Sequence, residues 1–277
     1  MENILHLKYR PTTLDDVVSN EEVTEVLRRQ LTGESKQALP HALLFHGPTG
    51  CGKTTLGRIV ARMLGAQGND LREVDSADFR GIDTIRDIRA QSKYMPLEGP
   101  VRVWILDEVH RLTNDAQSAL LKALEDTPAH VYYILCTTDP QKLLPTIRGR
   151  CADFQVRTLT DQEMLKLLRR VVKEEDESLP KEVYQQIVQD SMGHPRNALQ
   201  ILAHALSVEP PKRLEVAKRA AESQSEVIEL CRALTNGSAW KKIAELLKGL
   251  KGQDPENIRR AVLGYCQAIL LSGQQND

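Results

Sequence analysis

The stretch His41-Ala-Leu-Leu-Phe-His-Gly-Pro-Thr-Gly-Cys-Gly-Lys-Thr-Thr55 joins a short apolar run to a glycine-rich loop. The run Ala42 to Phe45 predicts a buried strand. Beyond the loop, apolar residues recur at helical spacing and predict a helix; they are Leu56, Ile59, Val60, Met63 and Leu64. Strand, glycine loop and helix, in this order, are the context in which the pattern G-x-x-x-x-G-K-[ST] forms a phosphate-binding loop.

The chemistry of this loop favours a bound phosphate. Its glycines let the backbone curl until several N–H groups point at one anion, and the following helix adds the positive end of its dipole. Lys53 is expected to reach the β and γ phosphates, and the Thr54 hydroxyl to bind Mg²⁺. The alternative, a chance glycine turn before a helix, is expected about once in a hundred chains of this length. The predicted nucleotide contacts are Gly47, Pro48, Thr49, Gly50, Cys51, Gly52, Lys53, Thr54 and Thr55.

The composition describes a folded chain with little net charge. The 277 residues suffice for one large domain or two to three small ones, and 41% hydrophobic content argues against disorder. A net charge of -1 provides no global field that would attract nucleic acid. Any DNA contact is therefore expected from a local basic patch.

The cysteines and the hydropathy indicate a cytoplasmic protein. The five cysteines lie far apart without a C-x-x-C pair, so neither a zinc module nor a disulfide framework is expected. The segment Met1 to Pro11 is charged and has no apolar core, which argues against a signal peptide. No run approaches the length of about eighteen apolar residues that a membrane span needs. We expect no membrane contact.

Strands and helices alternate through the first part of the chain. Further strands are predicted at 72–75, 101–106, 131–136 and 152–156. Helices are predicted at 21–31, from 82 onward, and at 116–125, where Asn114 and Gln117 resemble a capping pair. Gly65 is expected to end the helix that follows the loop. This order predicts an α/β fold with a parallel sheet covered on both faces and a ligand beyond the carboxyl ends of the strands.

From Thr158 onward every periodic segment is helical. The capping box Thr160-Asp-Gln-Glu163 opens one helix, a second is predicted from Lys181 to Met192, and a third begins at Pro195. A proline-containing linker at 207–212 precedes helices near 214–221, 224–235, 239–249 and 255–271. We therefore expect an α/β nucleotide-binding domain at 1–157, a three-helix domain at 158–207 and a further helical domain at 208–277.

Two carboxylates, Asp107 and Glu108, follow the strand predicted at 101–106. Hydrolysis at a phosphate loop needs one acidic group near Mg²⁺ and another group that orients the attacking water. Asp107 suits the first role and Glu108 the second. Two acids at a strand end are a weak signal alone, but their place after a phosphate loop strengthens it.

Three further stretches make the chain resemble the AAA+ ATPase subunits of sliding-clamp loaders. They are Asp107-Glu-Val-His110, Leu120-Leu-Lys-Ala-Leu-Glu-Asp126, and Cys136-Thr-Thr-Asp-Pro-Gln-Lys142 with the residues up to Cys151. The resemblance covers residues 7–206 and is to bacterial gamma/tau and to the small subunits of phage, archaeal and eukaryotic loaders. It implies an AAA+ domain, a helical lid and a C-terminal collar, with ATP and Mg²⁺ as cofactors.

The resemblance also implies a function and partners. Such a subunit uses ATP binding and hydrolysis to open a sliding clamp and to place it on primer-template DNA. It works with other subunits in a ring, expected to be pentameric, in the cytoplasm, at the nucleoid or in the cytoplasm of a phage host.

Two alternatives stay open. The stretch Asp107-Glu-Val-His-Arg-Leu112 also resembles the Holliday-junction branch-migration motor, so another DNA-remodelling motor or a helicase loader is one of them. That motor carries a winged helix after its lid, and the helical tail here shows no strand pair for a wing. A non-hydrolysing ring scaffold is the other, and the presence of Lys53, Thr54, Asp107 and Glu108 argues against it.

The resemblance assigns roles to single positions. Thr138 matches sensor 1, beside the γ-phosphate or the attacking water, and is otherwise a cap or turn residue. Arg150 matches the arginine offered in trans to the ATP of the neighbouring subunit, although Gly149 stands where the family has serine. Arg196 matches sensor 2 in the lid and is otherwise an exposed arginine of a first helical turn. The N-terminal residues resemble the segment that packs around adenine in this family, and the alternative is a plain extended lead-in. They are Tyr9, Arg10, Pro11, Val17 and Val18.

Two features depart from bacterial gamma/tau. Their cysteine-rich zinc module lies between the loop helix and the second strand, where this chain has only Ala66 to Asp70. The missing module shifts the resemblance toward the phage and archaeal small subunits. The C-terminal piece is short for a collar, so a reduced collar is expected.

A local basic patch resembles the turn and helix start that line the central chamber of a loader. It would contact the DNA backbone without reading base sequence. Asp83 and Asp87 dilute the patch, and a solvated helix face with internal ion pairs is the alternative. The candidate DNA contacts are Arg80, Thr84, Arg86, Arg89 and Arg111.

Overall fold

The computed structural model describes residues 4–76, 78, 80–217, 230–231, 233–234, 239–250, 259 and 262–263. The chain divides into two compact units, one formed by Met1–Leu167 with Gly193–Asn197 and the other by Leu168–Met192 with Ala198–Asp277. The first unit holds all of the predicted strands.

The strands of the first unit lie close to their predicted positions. They are β1 (Ala42–His46), β2 (Leu71–Asp75), β3 (Arg102–Asp107), β4 (Val131–Thr137) and β5 (Ala152–Gln155). The helices that connect or precede them are α1 (Leu5–Lys8), α2 (Glu21–Leu31), α3 (Lys53–Met63), α4 (Ile82–Ser92), α5 (Asn114–Glu125) and α6 (Pro145–Arg148). Short 3₁₀ helices lie at Gly68–Asp70, Val109–Arg111 and Pro140–Lys142.

The sheet is parallel throughout, in the order β2-β3-β4-β1-β5. Strand β4 therefore lies between β3 and β1, so the carboxyl ends of these three strands meet at one edge. The predicted parallel α/β sheet is confirmed, and the loops after β1, β3 and β4 come together as such a topology requires.

Alternate residues of each strand face opposite sides of the sheet, as strand geometry requires. In β1, Leu43 and Phe45 join the apolar cluster that includes Leu56 and Ile59 of α3. Leu44 joins the cluster on the other face, which contains Ile85 and Ile88 of α4 and Leu120 of α5. Both faces are buried because helices cover both sides.

The start of α5 differs from its prediction. Thr113 is the N-cap, and its side chain accepts a hydrogen bond from the Ala116 backbone. Gln117 is 2% exposed and does not cap the helix. Its amide instead donates to the carbonyls of Leu112 and Lys142 and accepts from the Leu144 N–H. The capping assignment of Asn114 and Gln117 was wrong because these tertiary partners replace the local ones.

A buried ionic pair fixes the loop before β3. Asp70 is fully buried and lies 3.1 Å from the Arg102 guanidinium. Burial by itself would raise the pKa of Asp70, but hydrogen bonds from the backbone N–H groups of Glu98, Leu97 and Gly99 and from Arg102 lower it to about 2. Arg102 also donates to carbonyls of residues 91, 94 and 95. The loop is held in place, and its exposed side chains are Tyr94, Met95 and Leu97.

The helices with given bounds after these are α7 (Asp161–Glu174), α8 (Lys181–Ser191), α9 (Pro195–Leu206) and α10 (Trp240–Gly249), with a 3₁₀ helix at Pro210–Lys212. The capping box at Thr160 and Glu163 is confirmed by hydrogen bonds in both directions. Most of the helices predicted near 214–221, 224–235 and 255–271 lie outside the described residues. Within the described part of the chain, no helix is long and apolar enough to cross a membrane.

Candidate nucleotide-binding site

The loop between β1 and α3 has the backbone that a phosphate cradle needs. Gly47, Gly50 and Gly52 have φ angles of 148°, 75° and 101°, which residues with a Cβ rarely adopt. At Gly47 a Cβ would also lie 2.0 Å from the Val156 carbonyl oxygen. The curl therefore depends on glycine for conformation at three positions and for space at the first.

Lys53, the first residue of α3, lies with its ammonium folded under this loop. The side chain is 6% exposed, and Nζ donates to the carbonyl oxygens of Gly47 at 2.9 Å and Pro48 at 2.8 Å. These two acceptors hold a buried cation beneath the positive end of a helix. The arrangement suits a multiply charged anion seated on the loop.

Thr54 and Asp107 meet across the sheet edge. The Thr54 hydroxyl donates to Asp107 Oδ2 at 2.6 Å, and Asp107 Oδ1 accepts the Glu108 backbone N–H at 2.9 Å. A hydroxyl and a carboxylate are oxygen ligands of the kind that Mg²⁺ uses together with phosphate oxygens. The residues present therefore fit an ion at this point.

Glu108 is presented by an unusual backbone. Its φ is 50°, in the left-handed region, so the chain turns sharply directly after β3. The carboxylate oxygen Oε2 accepts a hydrogen bond from Thr138 Oγ1 at 3.4 Å and lies 3.3 Å from His110 Nδ1. The two residues predicted to serve catalysis from different strands, Glu108 and Thr138, are thus in contact.

Two groups at this edge received no role from the sequence. His110 Nδ1 lies 3.0 Å from Thr137 Oγ1 as well as near Glu108, and Thr137 is fully buried. His194 is the other: its Nδ1 is buried without a hydrogen-bond partner. Burial lowers the pKa of His194, a hydrogen bond with the Thr49 backbone opposes this, and Lys53 lowers it further. The only sequence signal for these histidines was their position. His110 lies in the stretch Asp107-Glu-Val-His110, and His194 lies two residues before Arg196.

Arg196 lies over the loop. Its Cβ is 3.6 Å from the point where a Cβ on Gly50 would stand, and its side chain is exposed. Burial lowers the pKa of His6 in α1, and the nearby charge of Arg196 lowers it further. The N-terminal segment therefore reaches the same side of the site. The residues predicted to surround adenine are all half-buried: Tyr9, Arg10, Pro11, Val17 and Val18.

The loop residues between the glycines differ in exposure. Pro48 and Thr49 are exposed and Thr55 is half-buried. Cys51 is 5% exposed, and its thiol donates to the Pro48 carbonyl at 2.9 Å. Burial raises the pKa of this thiol, with partial opposition from Lys53. Cys51 thus acts as a packed group whose side chain braces the loop from below.

Arg150 lies on the surface and contacts residues of its own chain. Its side chain is 41% exposed; one guanidinium nitrogen lies 2.6 Å from Glu125 Oε1, and another donates to the Thr146 carbonyl at 3.2 Å. Within the first unit, the nucleotide loop follows β1 and Arg150 follows α6.

The candidate DNA contacts include two arginines with acidic partners. Arg86 pairs with Asp83 at 3.0 Å and Arg89 with Asp126 at 3.1 Å, and all four side chains are well exposed. Arg80 is exposed, whereas Thr84 and Arg111 are half-buried. The internal ion pairs of the alternative reading are present, and the arginines also remain accessible to solvent.

In sequence, the chain is similar to subunits of bacterial DNA polymerase III. It is 36% identical to subunit gamma/tau of Mycobacterium tuberculosis over 226 residues, which cover 73% of this chain and 39% of that protein. It is 31% identical to subunit tau of Bacillus subtilis over 294 residues, which cover 96% of this chain and 51% of that protein. A family model described as DNA polymerase III, delta subunit, matches residues 65–160. The chain spans about half or less of the length of these relatives.

In structure, the chain is similar to the RuvB Holliday junction branch migration motor of Thermotoga maritima. The TM-score is 0.71 at 20% identity, and the match covers 96% of this chain and 91% of that one. At this identity the likeness shows the fold alone. The parallel α/β fold expected from the sequence is shared with this solved structure.

Proposed function

We propose that this chain, which is similar in sequence to the gamma/tau and tau subunits of bacterial DNA polymerase III, is an ATPase subunit of a sliding-clamp loader. The observation that carries the proposal is the meeting of Lys53, Thr54, Asp107 and Glu108 at the carboxyl ends of β1 and β3. A scaffold without hydrolysis would not need this set.

The proposed roles follow from the contacts. The loop N–H groups and the Lys53 ammonium bind the phosphates of ATP, and Thr54 and Asp107 bind the metal ion. When bound, Mg²⁺ would offset negative charge on the transferred phosphoryl group. Glu108 orients a water molecule for attack, and Thr138, which touches Glu108, holds the same region from β4.

Arg150 is proposed to act on a neighbouring subunit. It is exposed, and it can leave Glu125 at small cost because exposed ion pairs contribute only about 0–1 kcal/mol. A guanidinium from the next subunit would complete the pocket around the ATP phosphates. ATP binding would then favour one geometry of a ring, and loss of the γ-phosphate would remove that preference.

The other assignments are proposed on the same basis. Arg196 and the segment with Tyr9 to Pro11 and Val17 to Val18 would contact the nucleotide from the lid side and the N-terminal side. The domains are proposed as 1–157 for nucleotide binding, 158–207 for the lid and 208–277 for a reduced collar that joins a pentameric ring. The DNA backbone would be contacted by Arg80, Thr84, Arg86, Arg89 and Arg111.

A branch-migration motor is the second candidate function, favoured by the structural similarity to RuvB. The two candidates differ in the DNA that should stimulate ATP turnover. A clamp loader responds to primer-template DNA together with a sliding clamp, whereas a branch-migration motor responds to a four-way junction.

The test uses the full chain, alone and assembled with the subunits that co-purify with it. We expect turnover to rise when primer-template DNA and clamp are added together, and Glu108→Gln to bind ATP with little turnover. The mass of the complex, measured with and without an ATP analogue, shows whether a ring forms and how many subunits it contains. Stimulation by a four-way junction alone, or a Glu108→Gln variant that turns over like the unmodified protein, would contradict the proposal.

A further inference from the structure

His110 forms a bridge between Glu108, the carboxylate proposed to orient the attacking water, and the end of β4. Its side chain is 12% exposed, and Nδ1 lies 3.3 Å from Glu108 Oε2 and 3.0 Å from Thr137 Oγ1. The bridge follows from the sharp turn at Glu108, which leads into the 3₁₀ helix Val109–Arg111 and folds the imidazole back toward the carboxylate.

The protons at this bridge can be counted. Thr137 Oγ1 accepts the Asp139 N–H at 3.0 Å and has one hydroxyl proton to donate. If Nδ1 carries no proton, the hydroxyl donates to it and the carboxylate receives nothing from the ring. If Nδ1 carries a proton, the ring can donate to Thr137 Oγ1 at 3.0 Å and to Glu108 Oε2 at 3.3 Å. The position of one proton thus decides whether Glu108 is held by the ring.

Few other groups hold this carboxylate. Among the described residues, the only hydrogen bond to the Glu108 carboxylate is the long one from Thr138 at 3.4 Å. A half-buried histidine that only fills space would not need to face a carboxylate. A carboxylate that orients water, in contrast, must be kept within a narrow range of directions.

We infer that His110 is a positioning residue for Glu108, donating from Nδ1 to keep the carboxylate directed at the attacking water. The inference rests on the proposed function and deepens it. Around the ring, Lys142 and Arg111 are cationic and Glu108 and Asp139 are anionic. Burial is the largest influence and lowers the pKa of His110. Burial therefore favours the neutral ring, and the inference assigns its proton to Nδ1.

The test compares His110→Leu with His110→Asn, whose amide can donate from nearly the place of Nδ1. Each is made alone and combined with Glu108→Gln in the full chain, assembled with its co-purifying subunits. We expect His110→Leu to lower kcat about tenfold or more, with KM for ATP and ATP affinity changed less than about twofold. His110→Asn should restore most of the rate, and His110→Leu should cost nothing further beside Glu108→Gln.

The matched control is His130→Leu. His130 is also half-buried, but its Nε2 lies 3.1 Å from the carbonyls of Ser92 and Tyr94, so its loss should change thermal stability and leave kcat unchanged. Should His110→Leu fail to fold, His110→Ala takes its place in the same comparison.

Three outcomes overturn the inference: normal turnover by His110→Leu, a KM that rises as kcat falls, or losses from His110→Leu and Glu108→Gln that multiply. If turnover depends on Glu108 but not on His110, the inference about His110 is rejected and the proposed function stands. An unmodified assembly that binds ATP and does not hydrolyse it rejects the proposed function as well.

Discussion

Arg150 is held by Glu125 of its own chain through an ion pair of 2.6 Å, with both side chains about two-fifths exposed at 41% and 42%. An arginine that serves a neighbour must give up this partner when the neighbour arrives. In the proposed ring, this pair would hold the guanidinium in place on the surface until a neighbouring subunit arrives.

The first prediction concerns this pair. Arg150→Ala should lower ATP turnover of the assembled ring about tenfold or more, since an arginine supplied in trans contributes strongly to phosphoryl transfer. Glu125→Gln should retain turnover because Arg150 remains. Mixing Arg150→Ala with Lys53→Ala subunits should recover part of the activity, since each supplies what the other lacks. Absence of recovery in a ring that contains both variants would argue that Arg150 acts in its own subunit.

The second prediction concerns the metal ligands. Thr54→Ala removes the hydroxyl that meets Asp107 and should weaken ATP binding in the presence of Mg²⁺. Affinity measured in a chelator should be unchanged, because the loop N–H groups and Lys53 remain. Ser118→Ala, which removes an exposed hydroxyl on α5, is the control and should leave both affinities near those of the unmodified chain.

The third prediction concerns the first glycine of the loop. Gly47→Ala places a Cβ 2.0 Å from the Val156 carbonyl and imposes a φ of 148° on a residue that avoids it. We expect a loss of about 2 kcal/mol or more in the free energy of unfolding, measured with urea. Gly81→Ala is the control, since a Cβ there meets nothing within 4 Å. Equal stability of the two variants would contradict the crowding seen at Gly47.

The fourth prediction concerns acid stability. The pKa of Asp70 is about 2 in the folded chain, below its usual value of 3.8, so its contribution to stability is complete above pH 3.8 and is lost as the pH falls toward 2. Asp70→Asn should therefore cost about 2 kcal/mol or more at neutral pH. The difference from the unmodified protein should shrink as the pH falls through this window. Asp115→Asn, at an exposed helix start, should show a much smaller cost.

The fifth prediction concerns DNA. Arg80→Ala should weaken binding to primer-template DNA of any sequence and reduce the slope of log affinity against log salt by about 1. Arg62→Ala, an exposed arginine at the end of α3, serves as the control. Equal effects of the two substitutions would indicate that charge alone, and not the position of Arg80, governs binding.

Much of the first unit could be predicted because its signals are local. Gly47 to Thr54 identified the loop from one stretch, and the apolar runs located every strand within about two residues, the usual limit for element ends. The contacts that define the site were less accessible. That Thr138 touches Glu108, or that Thr54 meets Asp107, depends on the strand order, and residue spacing does not encode that order directly.

The misses have a common physical cause. Gln117 looked like a helix cap because caps are read from neighbours three residues apart, yet its partners Lys142 and Leu144 come from a distant turn. The partners of His110 and Asp70 could not be predicted for the same reason. Buried polar groups must find hydrogen bonds wherever the fold supplies them, and only the folded chain reveals which groups those are.

The pairing of β1 has a consequence for synthesis. This strand bonds only to β4 and β5, which leave the ribosome after it, so Ala42 to Phe45 has no strand partner while much of the chain is still being translated. An apolar segment in this condition is prone to aggregate unless helices or chaperones shield it. Translation pauses that fall before codon 155 should therefore lower the yield of native protein more than pauses placed later.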